Sequence, residues 1–456
     1  MTVIAPPDAP PMAIADTRPA TGRDRVAAFS RRHPYVTIFL VAMFVRLLLA
    51  VAVFVVNDGT LFLDDQTYLA MGRDAADGRM GAWSEYTAWL YDRTRTFFEP
   101  LTLVLWVNGS ALAAQLYVAV LGALAAAATG RLAREVVSDG WVVVAGLMVA
   151  LLPSQVVFSA VVLKDPMMWL LLVSCGIVAA VGARSAGWRL IACASSAVVL
   201  LVLIANLRPH TMVVVAWAFV VAALAGARIG MPERVALATA SAIIVPLLLG
   251  WGVGGRTILM NTKFEERREL NAIGAASAID PTTTTTFITT PVTEPVPSSD
   301  SVPGPPGDDV GPTTTAATPT AATPTVTTTT VAGRDPLDDA RNAIGHLPRG
   351  LSVVLVEPAP WQSGVSRSLS VARAEGLLWY PILVLGLASA PFVLRRRQAL
   401  AFPVVLIVGL SVGYGLSEGN IGTAFRHRGE VVSSVVVLAT LGLANLSRRR
   451  RRTDAT

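Results

Sequence analysis

The sequence predicts an all-α, polytopic membrane protein with about ten transmembrane helices. Of its 456 residues, 53% are hydrophobic and only 15% are charged, whereas a soluble domain carries about 25% charged residues. The mean hydropathy is +0.57, and the apolar residues are concentrated in long runs. A helix needs about 20 such residues to cross a bilayer. These observations exclude a purely soluble enzyme.

Ten apolar runs approach this length and are predicted to span the membrane. The third run, 140–157, is short and contains Pro153 near its end. The runs form an N-terminal transmembrane module at 35–253 and a group of C-terminal helices at 376–446. The predicted spans are 35–56, 110–129, 140–157, 166–182, 189–206, 210–227, 235–253, 376–394, 399–416 and 430–446.

The arginine clusters predict the orientation, because basic residues concentrate in cytoplasmic loops. All the clusters fall on one side of the membrane if both termini are cytoplasmic, and an even number of spans agrees with this. Residues 1–34 then form a proline-rich, disordered cytoplasmic tail, and 447–456 form a basic one. We therefore predict a multi-pass protein of the plasma (inner) membrane. The clusters are the N-terminal tail, Arg131 with Arg134, Arg184 with Arg189, Arg228 with Arg234, 395–397 and 448–452.

The two longest extracytoplasmic segments in this topology are 57–109 and 254–375. The second contains a low-complexity stretch, 281–331, which consists mostly of Thr, Pro, Ala and Ser. Such a stretch cannot bury enough apolar surface to fold, so we expect an extended, disordered tether. It serves as a plain spacer or as an O-glycosylated stalk. Short amphipathic helices are expected on both sides of it, at 262–273 and 336–347.

Four polar clusters on the extracytoplasmic side are candidates for chemistry, because ionisable groups at a membrane are costly. The first is a pair of carboxylates, Asp64 and Asp65, directly after the first span. Such a pair offers a general base or a ligand for a divalent cation. The alternative is the solvated start of a loop. No cofactor is required by the sequence, and a metal, if one binds, would use Asp64 and Asp65.

The second cluster, Lys164 and Asp165, opens the fourth predicted span. Lysine occurs only at positions 164 and 263, whereas the chain has 37 basic residues in total. The compact ammonium group of a lysine suits a phosphate, although a simple Lys–Asp pair at a helix start is the alternative.

Two arginines invite separate explanations. Arg208 forms the third cluster, in a short turn at the membrane interface, where it either snorkels to water or meets an anionic group. Arg46 lies near the middle of the first predicted span. Because a charge at that depth must be paired or must face a polar cavity, we predict a structural role with a carboxylate partner, and a functional role is the alternative.

The fourth cluster lies between the last two predicted spans. It places two arginines and a histidine on the side that the positive-inside rule keeps poor in cations. An anionic lipid headgroup would explain them. The alternative is a salt-bridged loop that uses the two glutamates of the cluster. Its polar residues are Glu418, Asn420, Arg426, His427, Arg428 and Glu430.

Together these residues resemble the GT-C superfamily of polytopic glycosyltransferases, in particular the family of protein O-mannosyltransferases and lipid A aminoarabinose transferases. The family's acidic motif after the first span is matched by Asp64 and Asp65 with Tyr68. Its Pro-Ser…Leu-Lys-Asp/Glu segment is matched at 153–154 and 163–165. A Gly-Asn-x-Gly-Thr…Arg-x-Arg loop of related exopolysaccharide enzymes is matched at 419–423 and 426–428.

The resemblance implies transfer of a sugar from a polyprenyl-phosphate donor to a glycan or protein acceptor at the cell envelope. It implies that Asp64 or Asp65 is the base, with Asp64 preferred. The residues expected to bind the donor phosphate are Lys164, Arg208, Arg426 and Arg428. Further site candidates are Tyr68, Asp165, His427 and Asn420.

Two other classes of function remain compatible with the sequence. One is a transporter or flippase of lipid-linked saccharides, which would use the same basic residues without a carboxylate base. The other is a non-catalytic scaffold for an envelope polymer complex, in which the tether is the working part. Membrane lipid is an expected partner in every case. Nucleic acid is not expected, because no basic stripe with interleaved aromatic residues occurs.

Reporter fusions test the predicted topology. A fusion at Gly230 should report a cytoplasmic location and a fusion at Pro319 an extracytoplasmic one, because an odd number of predicted spans separates them. Equal signals from the two fusions would contradict the ten-span topology.

Overall fold

The computed structural model describes residues 28–225, 336–362, 367–417 and 421–454, and the regular elements in these ranges are all helical. Short 3₁₀ turns occur at Arg79–Ala82 and Leu394–Arg396. From Pro34 onward the α-helices are α1 (Pro34–Asn57), α2 (Leu63–Ala76), α3 (Glu85–Arg93), α4 (Arg95–Val107), α5 (Ala111–Ala133), α6 (Asp139–Leu151), α7 (Pro153–Phe158), α8 (Asp165–Gly182), α9 (Trp188–Ala205), α10 (Pro209–Ala225), α11 (Pro336–Leu355), α12 (Arg367–Ala388), α13 (Ala390–Val393), α14 (Arg397–Ser417) and α15 (Ile421–Thr453).

Six helical segments in the described ranges are long and apolar enough to cross a membrane. The prediction of an all-α, multi-pass membrane protein is thereby confirmed, while the count of ten spans stays a prediction. Two further apolar helices, α6 and α10, are shorter. The predicted span 235–253, the helix at 262–273 and the tether 281–331 lie outside the described residues. The six segments are Pro34–Asn57, Ala111–Ala133, Asp165–Gly182, Trp188–Ala205, Ala390–Ser417 and Ile421–Arg451.

Two stretches that were predicted as loops contain helices. The segment 57–109 contains α2, α3 and α4. The polar cluster expected between the last two spans is mostly helical, because α15 begins at Ile421 and continues for 33 residues. At the other long loop, the short helix expected at 336–347 is part of α11.

The third predicted span, 140–157, is divided into α6 and α7 at Leu152. Proline has no backbone N–H and clashes with the preceding turn, so a helix cannot continue through Pro153 without a distortion. Leu152 adopts an extended conformation at the break. The chain from there to Leu163 is almost entirely buried.

Helix α15 lies at the centre of the packing. It contacts α5, α6 and α8 of the N-terminal half as well as α11, α12 and α14. Small residues let its neighbours approach closely: a Cβ atom at Gly442 would lie only 2.3 Å from the carbonyl oxygen of Leu385 in α12. The helix that carries the last polar cluster therefore joins the two halves of the protein.

Arg46 does not pair with a carboxylate in the described residues, contrary to the prediction. Its guanidinium donates to the carbonyl oxygens of Ala42 at 3.1 Å, Ala150 at 3.0 Å and Gln155 at 3.4 Å. The last two carbonyls flank the break before Pro153. The usual helical partner of the Ala150 carbonyl would be the N–H of Ser154, which donates elsewhere. Arg46 thus satisfies the Ala150 carbonyl, which the interrupted helix leaves open, while the Gln155 carbonyl also accepts from the hydroxyl of Ser159.

We expect Arg46→Met to destabilise the protein by about 1–3 kcal/mol, because it leaves the buried carbonyl oxygen of Ala150 without a donor. Thermal unfolding of the purified protein in detergent measures the change. Arg95→Met is the matched control, since the Arg95 side chain is 56% exposed and pairs only with Asp92 in the described residues. Equal melting temperatures for the two variants would contradict the role assigned to Arg46.

Candidate functional site

Four separate parts of the chain meet at one end of the helix bundle. They are the start of α2, the start of α8, the turn before α10 and the first turns of α15. Charged side chains from all four are joined by ion pairs, although up to 362 residues separate the partners in sequence. The site residues placed here are Asp64, Tyr68, Lys164, Asp165, Arg208, Arg426, His427 and Glu430.

The centre of the site is a chain of alternating charges, Asp64–Arg426–Asp165–Arg208–Glu430, which we call the charge ladder. The Nε of Arg426 donates to Asp165 Oδ2 at 2.6 Å, and its Nη1 donates to Asp64. The Nη2 of Arg208 donates to Asp165 Oδ1 at 2.5 Å, and its Nη1 donates to Glu430. Asp165 therefore bridges two arginines, one with each oxygen.

Glu430, the most buried end of the charge ladder, accepts hydrogen bonds from two neutral hydroxyl groups. The hydroxyl of Tyr414 lies 2.9 Å from Glu430 Oε1, and the hydroxyl of Thr211 lies 3.4 Å from Oε2. The ring of His427 stacks on Tyr414 with 4.3 Å between centroids. Every oxygen of the buried Glu430 carboxylate is thus hydrogen-bonded, as a buried charge requires.

Exposure falls along the charge ladder. The Asp64 side chain is 55% exposed and that of Arg426 is 17% exposed. The Arg208 side chain is only 6% exposed, and Asp165 and Glu430 are fully buried. The two arginines therefore differ in what they can do. Arg208 is enclosed between two carboxylates, whereas Arg426 lies near the surface, where an anion can reach it.

The adjacent carboxylates Asp64 and Asp65 point in different directions, as expected for neighbouring residues. Asp65 turns back to cap α2 and accepts from the backbone N–H groups of Leu61 at 2.8 Å and Phe62 at 3.2 Å. Burial raises the pKa of Asp65, and these hydrogen bonds oppose that shift. Because the two side chains diverge, they do not form a joint set of metal ligands. The described residues contain no group of three or more His, Cys, Asp or Glu placed to hold a metal ion.

Lys164 differs from the two arginines of the charge ladder. It is half-buried, and its Nζ lies 5.9 Å from the centroid of the Tyr68 ring. Among the described residues it forms no ion pair, since the neighbouring Asp165 turns to the arginines. Burial, followed by the positive charges of Arg208 and Arg426, lowers the pKa of Lys164 to about 7. Its amine is therefore poised between the charged and neutral forms near neutral pH.

Arg428 is not brought together with the other three predicted phosphate ligands. It lies 3.4 Å from Glu375 of α12, and both side chains are almost fully buried. Its guanidinium lies 4.5 Å from the centroid of Phe425 and 5.1 Å from that of Trp379. Ser154 also binds Glu375, through its backbone N–H at 2.5 Å and its hydroxyl at 2.9 Å. Arg428 therefore connects α15 to α12 directly, and it connects α15 to the start of α7 through Glu375.

Sequence reasoning missed three members of these clusters: Glu375, Tyr414 and Thr211. A signal existed for Glu375, because it is a carboxylate directly before an apolar run. Tyr414 and Thr211 carry no such signal, since both lie within apolar stretches that look like ordinary membrane helix. Of the remaining predicted residues, Asn420 lies outside the described residues.

Comparison of the chain with protein-family models, with curated proteins and with solved structures finds no match. The interpretation of the site therefore rests on its geometry and chemistry.

Amine acylation tests the state of Lys164. The rate of its modification by a small amine-reactive reagent should follow pH with a midpoint near 7, because only the neutral amine reacts. Free Nα-acetyl-lysine treated in parallel is the reference, with a midpoint near the ordinary lysine pKa of about 10.4. Peptide mass spectrometry follows the modification of Lys164.

Arg426→Gln should move the Lys164 midpoint upward, because it removes a neighbouring positive charge. A midpoint for Lys164 close to that of free Nα-acetyl-lysine would contradict the proposed environment of the amine.

Proposed function

We propose that this protein is a membrane glycosyltransferase that moves a sugar from a polyprenyl-phosphate donor to a glycan or protein acceptor of the cell envelope. The observation that carries the proposal is the position of Asp64. It is an exposed carboxylate beside two cations, Arg426 and Lys164, just beyond the end of an apolar helix long enough to cross the membrane. The site faces the outside in the proposed topology, in which both termini are cytoplasmic.

The proposed reaction uses Asp64 as the general base. The acceptor hydroxyl gives its proton to the carboxylate as its oxygen forms a bond with the anomeric carbon of the donor sugar. The bond between that carbon and the phosphate oxygen breaks at the same time. The leaving polyprenyl phosphate gains negative charge, which fixed cations stabilise. Arg426 has the charge and the accessibility for this role, and Lys164 has them in its protonated form, which a neighbouring phosphate favours.

The buried part of the charge ladder would prepare the site for this chemistry. Arg426 is held by Asp165, and Asp165 is held in turn by Arg208. An arginine fixed in advance loses little conformational freedom when it binds a phosphate. Arg208 then serves as a positioning residue and does not contact the donor.

An apolar crevice supports a donor with a long hydrocarbon chain. It has a volume of about 550 Å³ and lies between α6 and α12. Leu151 and Leu377 on its two walls are 50% and 67% exposed, so the crevice is open at the side. Its lining residues Leu152 and Leu377 are each two positions in sequence from Ser154 and Glu375, the hydrogen-bonded pair whose carboxylate contacts Arg428 of α15. Its lining residues are Val144, Leu147, Met148, Leu151, Leu152, Leu377, Leu378, Pro381, Ile382 and Leu385.

A transporter of lipid-linked saccharides is the second candidate. The depth of the charge ladder favours it, because ionisable residues such as Glu430 within membrane helices often mark a substrate or ion path. A transporter needs the cations of the site, but it does not need a base at Asp64.

Asp64→Asn should reduce sugar transfer by roughly 10²–10⁴-fold, the usual effect of removing a general base. The purified full-length protein in proteoliposomes is supplied with a panel of polyprenyl-phosphate sugars, and labelled product is measured. Asp92→Asn is the matched control, because Asp92 is also an exposed aspartate paired with an arginine, with 62% of its side chain exposed. That variant should keep full activity.

The outcomes separate the two candidates. Near-normal transfer by Asp64→Asn would refute the proposed base. If the wild-type protein transfers no sugar but moves a lipid-linked saccharide across the bilayer, the transporter is the correct interpretation.

A further inference from the structure

The end of the bundle opposite the charge ladder carries a dense group of arginines. Two runs contribute to it, one directly after α13 and the other in the last turns of α15. All seven described members are exposed, and in the part of the chain that the structure describes none of them has a carboxylate partner. This is an uncompensated positive surface. Its described members are Arg395, Arg396, Arg397, Arg448, Arg449, Arg450 and Arg451.

The helices next to the two runs meet at a shared cleft. Helix α12 packs tightly on α15 at Gly442, and Pro391 and Phe392 of α13 line the same cleft as Asn445 and Arg449 of α15. Between α13 and α15 lies a cleft of about 100 Å³, which we call the arginine cleft. Arg449 stands on one wall of the cleft, and Arg395 follows Phe392 of the other wall by three residues. The cleft is lined by Ala388, Pro391, Phe392, Gly442, Asn445, Leu446 and Arg449.

The arginine cleft combines an apolar interior with polar groups at its edge. Phe392, Pro391 and Leu446 form apolar walls, while Arg449 and Asn445 supply hydrogen-bond donors. A water molecule occupies about 30 Å³ in the liquid, so the cleft has room for a group of the size of a phosphate and not for a whole lipid. It lies where apolar, membrane-length segments end, which is the level of the headgroups of a bilayer.

We propose that the arginine cleft binds the phosphate of an anionic phospholipid from the leaflet at that end of the protein. Arg449 would donate to the phosphate, together with the second N–H of the Asn445 amide, whose first N–H donates to the carbonyl of Leu441 at 2.9 Å. The other arginines would add an attractive field. Clusters of basic residues next to membrane helices attract anionic lipids electrostatically. This site is separate from the charge ladder and does not depend on the proposed transferase activity.

The surroundings of the cleft favour a lipid over a soluble polyanion. Leu387 and Leu394 near the cleft are 75% and 80% exposed, and Leu446 in its wall is 48% exposed. A partner that combines a negative headgroup with hydrocarbon chains covers both the arginines and these leucines. These leucines lie within or at the end of predicted spans, so they face the bilayer and a lipid headgroup can reach the arginine cleft from within the membrane. A nucleic acid or an acidic protein segment would have to place polar groups beside hydrocarbon to reach the same cleft.

Lipid binding to the delipidated full-length protein in detergent tests the proposal. Native mass spectrometry compares phosphatidylglycerol with phosphatidylcholine of the same acyl chains. We expect the wild type to bind phosphatidylglycerol more tightly, and Arg449→Gln to lose about tenfold in that affinity, the size expected for one charge-assisted hydrogen bond. Arg134→Gln is the matched control, because Arg134 is 52% exposed but pairs with Asp139 outside the cleft. It should bind like the wild type.

Other results would overturn the proposal. Equal affinity for the two lipids would exclude a site for an anionic headgroup, and so would equal losses in the two variants. Binding of glycerol phosphate or inorganic phosphate as tight as that of the lipid would show an anion site without lipid specificity. Tight binding of a short oligonucleotide, with no preference among lipids, would assign the arginines to nucleic acid. All of the substituted side chains are exposed, so the thermal unfolding temperature should not change.

Discussion

Asp165 shares its carboxylate between Arg426 and Arg208, and the arrangement of the end of the bundle that carries the charge ladder depends on this contact. The carboxylate is fully buried, and a buried charge is tolerated only when its oxygens are paired. Each arginine in turn reaches a second carboxylate, at Asp64 and Glu430. One interaction thereby holds α2, α8, α15 and the turn before α10 in a fixed relation.

The second constraint is the helix break before Pro153, where two side chains distant in sequence form the hydrogen bonds that the broken helix cannot make. Because the helix stops at Leu151, the carbonyl of Ala150 and the N–H of Ser154 cannot bond to each other. Arg46 takes the carbonyl, and Glu375 takes the N–H. The buried segment that leads from the break to Lys164 is therefore fixed at its beginning by α1 and α12. Its middle is fixed by the side-chain amide of Gln115, which donates to the carbonyl of Ala160 at 3.0 Å. The position of Lys164 therefore depends on hydrogen bonds made earlier in this segment, at Ala150, Ser154 and Ala160.

The sequence was sufficient to predict a helical, multi-pass protein, because this follows from the apolar composition and from the length of the apolar runs. It also indicated which charged residues gather at one end, since the ends of apolar runs share a membrane face. It could not indicate which arginine meets which carboxylate, because the partners of the charge ladder are up to 362 residues apart. Arg426 and Arg428 looked equivalent in the sequence. However, residues two positions apart on a helix point in different directions. Arg426 therefore lies in the partly exposed charge ladder, whereas Arg428 lies in a fully buried cluster.

Helix α15 also has a mechanical consequence. It runs without interruption from Ile421 to Thr453, so Arg426 and Arg449 lie on the same rod, about 35 Å apart at 1.5 Å rise per residue. A continuous α-helix resists changes in length far more than it resists sliding past its neighbours. An axial displacement of a fraction of a turn at one end must therefore arrive almost undiminished at the other. Helix α15 thus couples the two ends of the bundle mechanically. The close contact between Gly442 and α12 is the point at which an axial shift of α15 would be permitted or resisted.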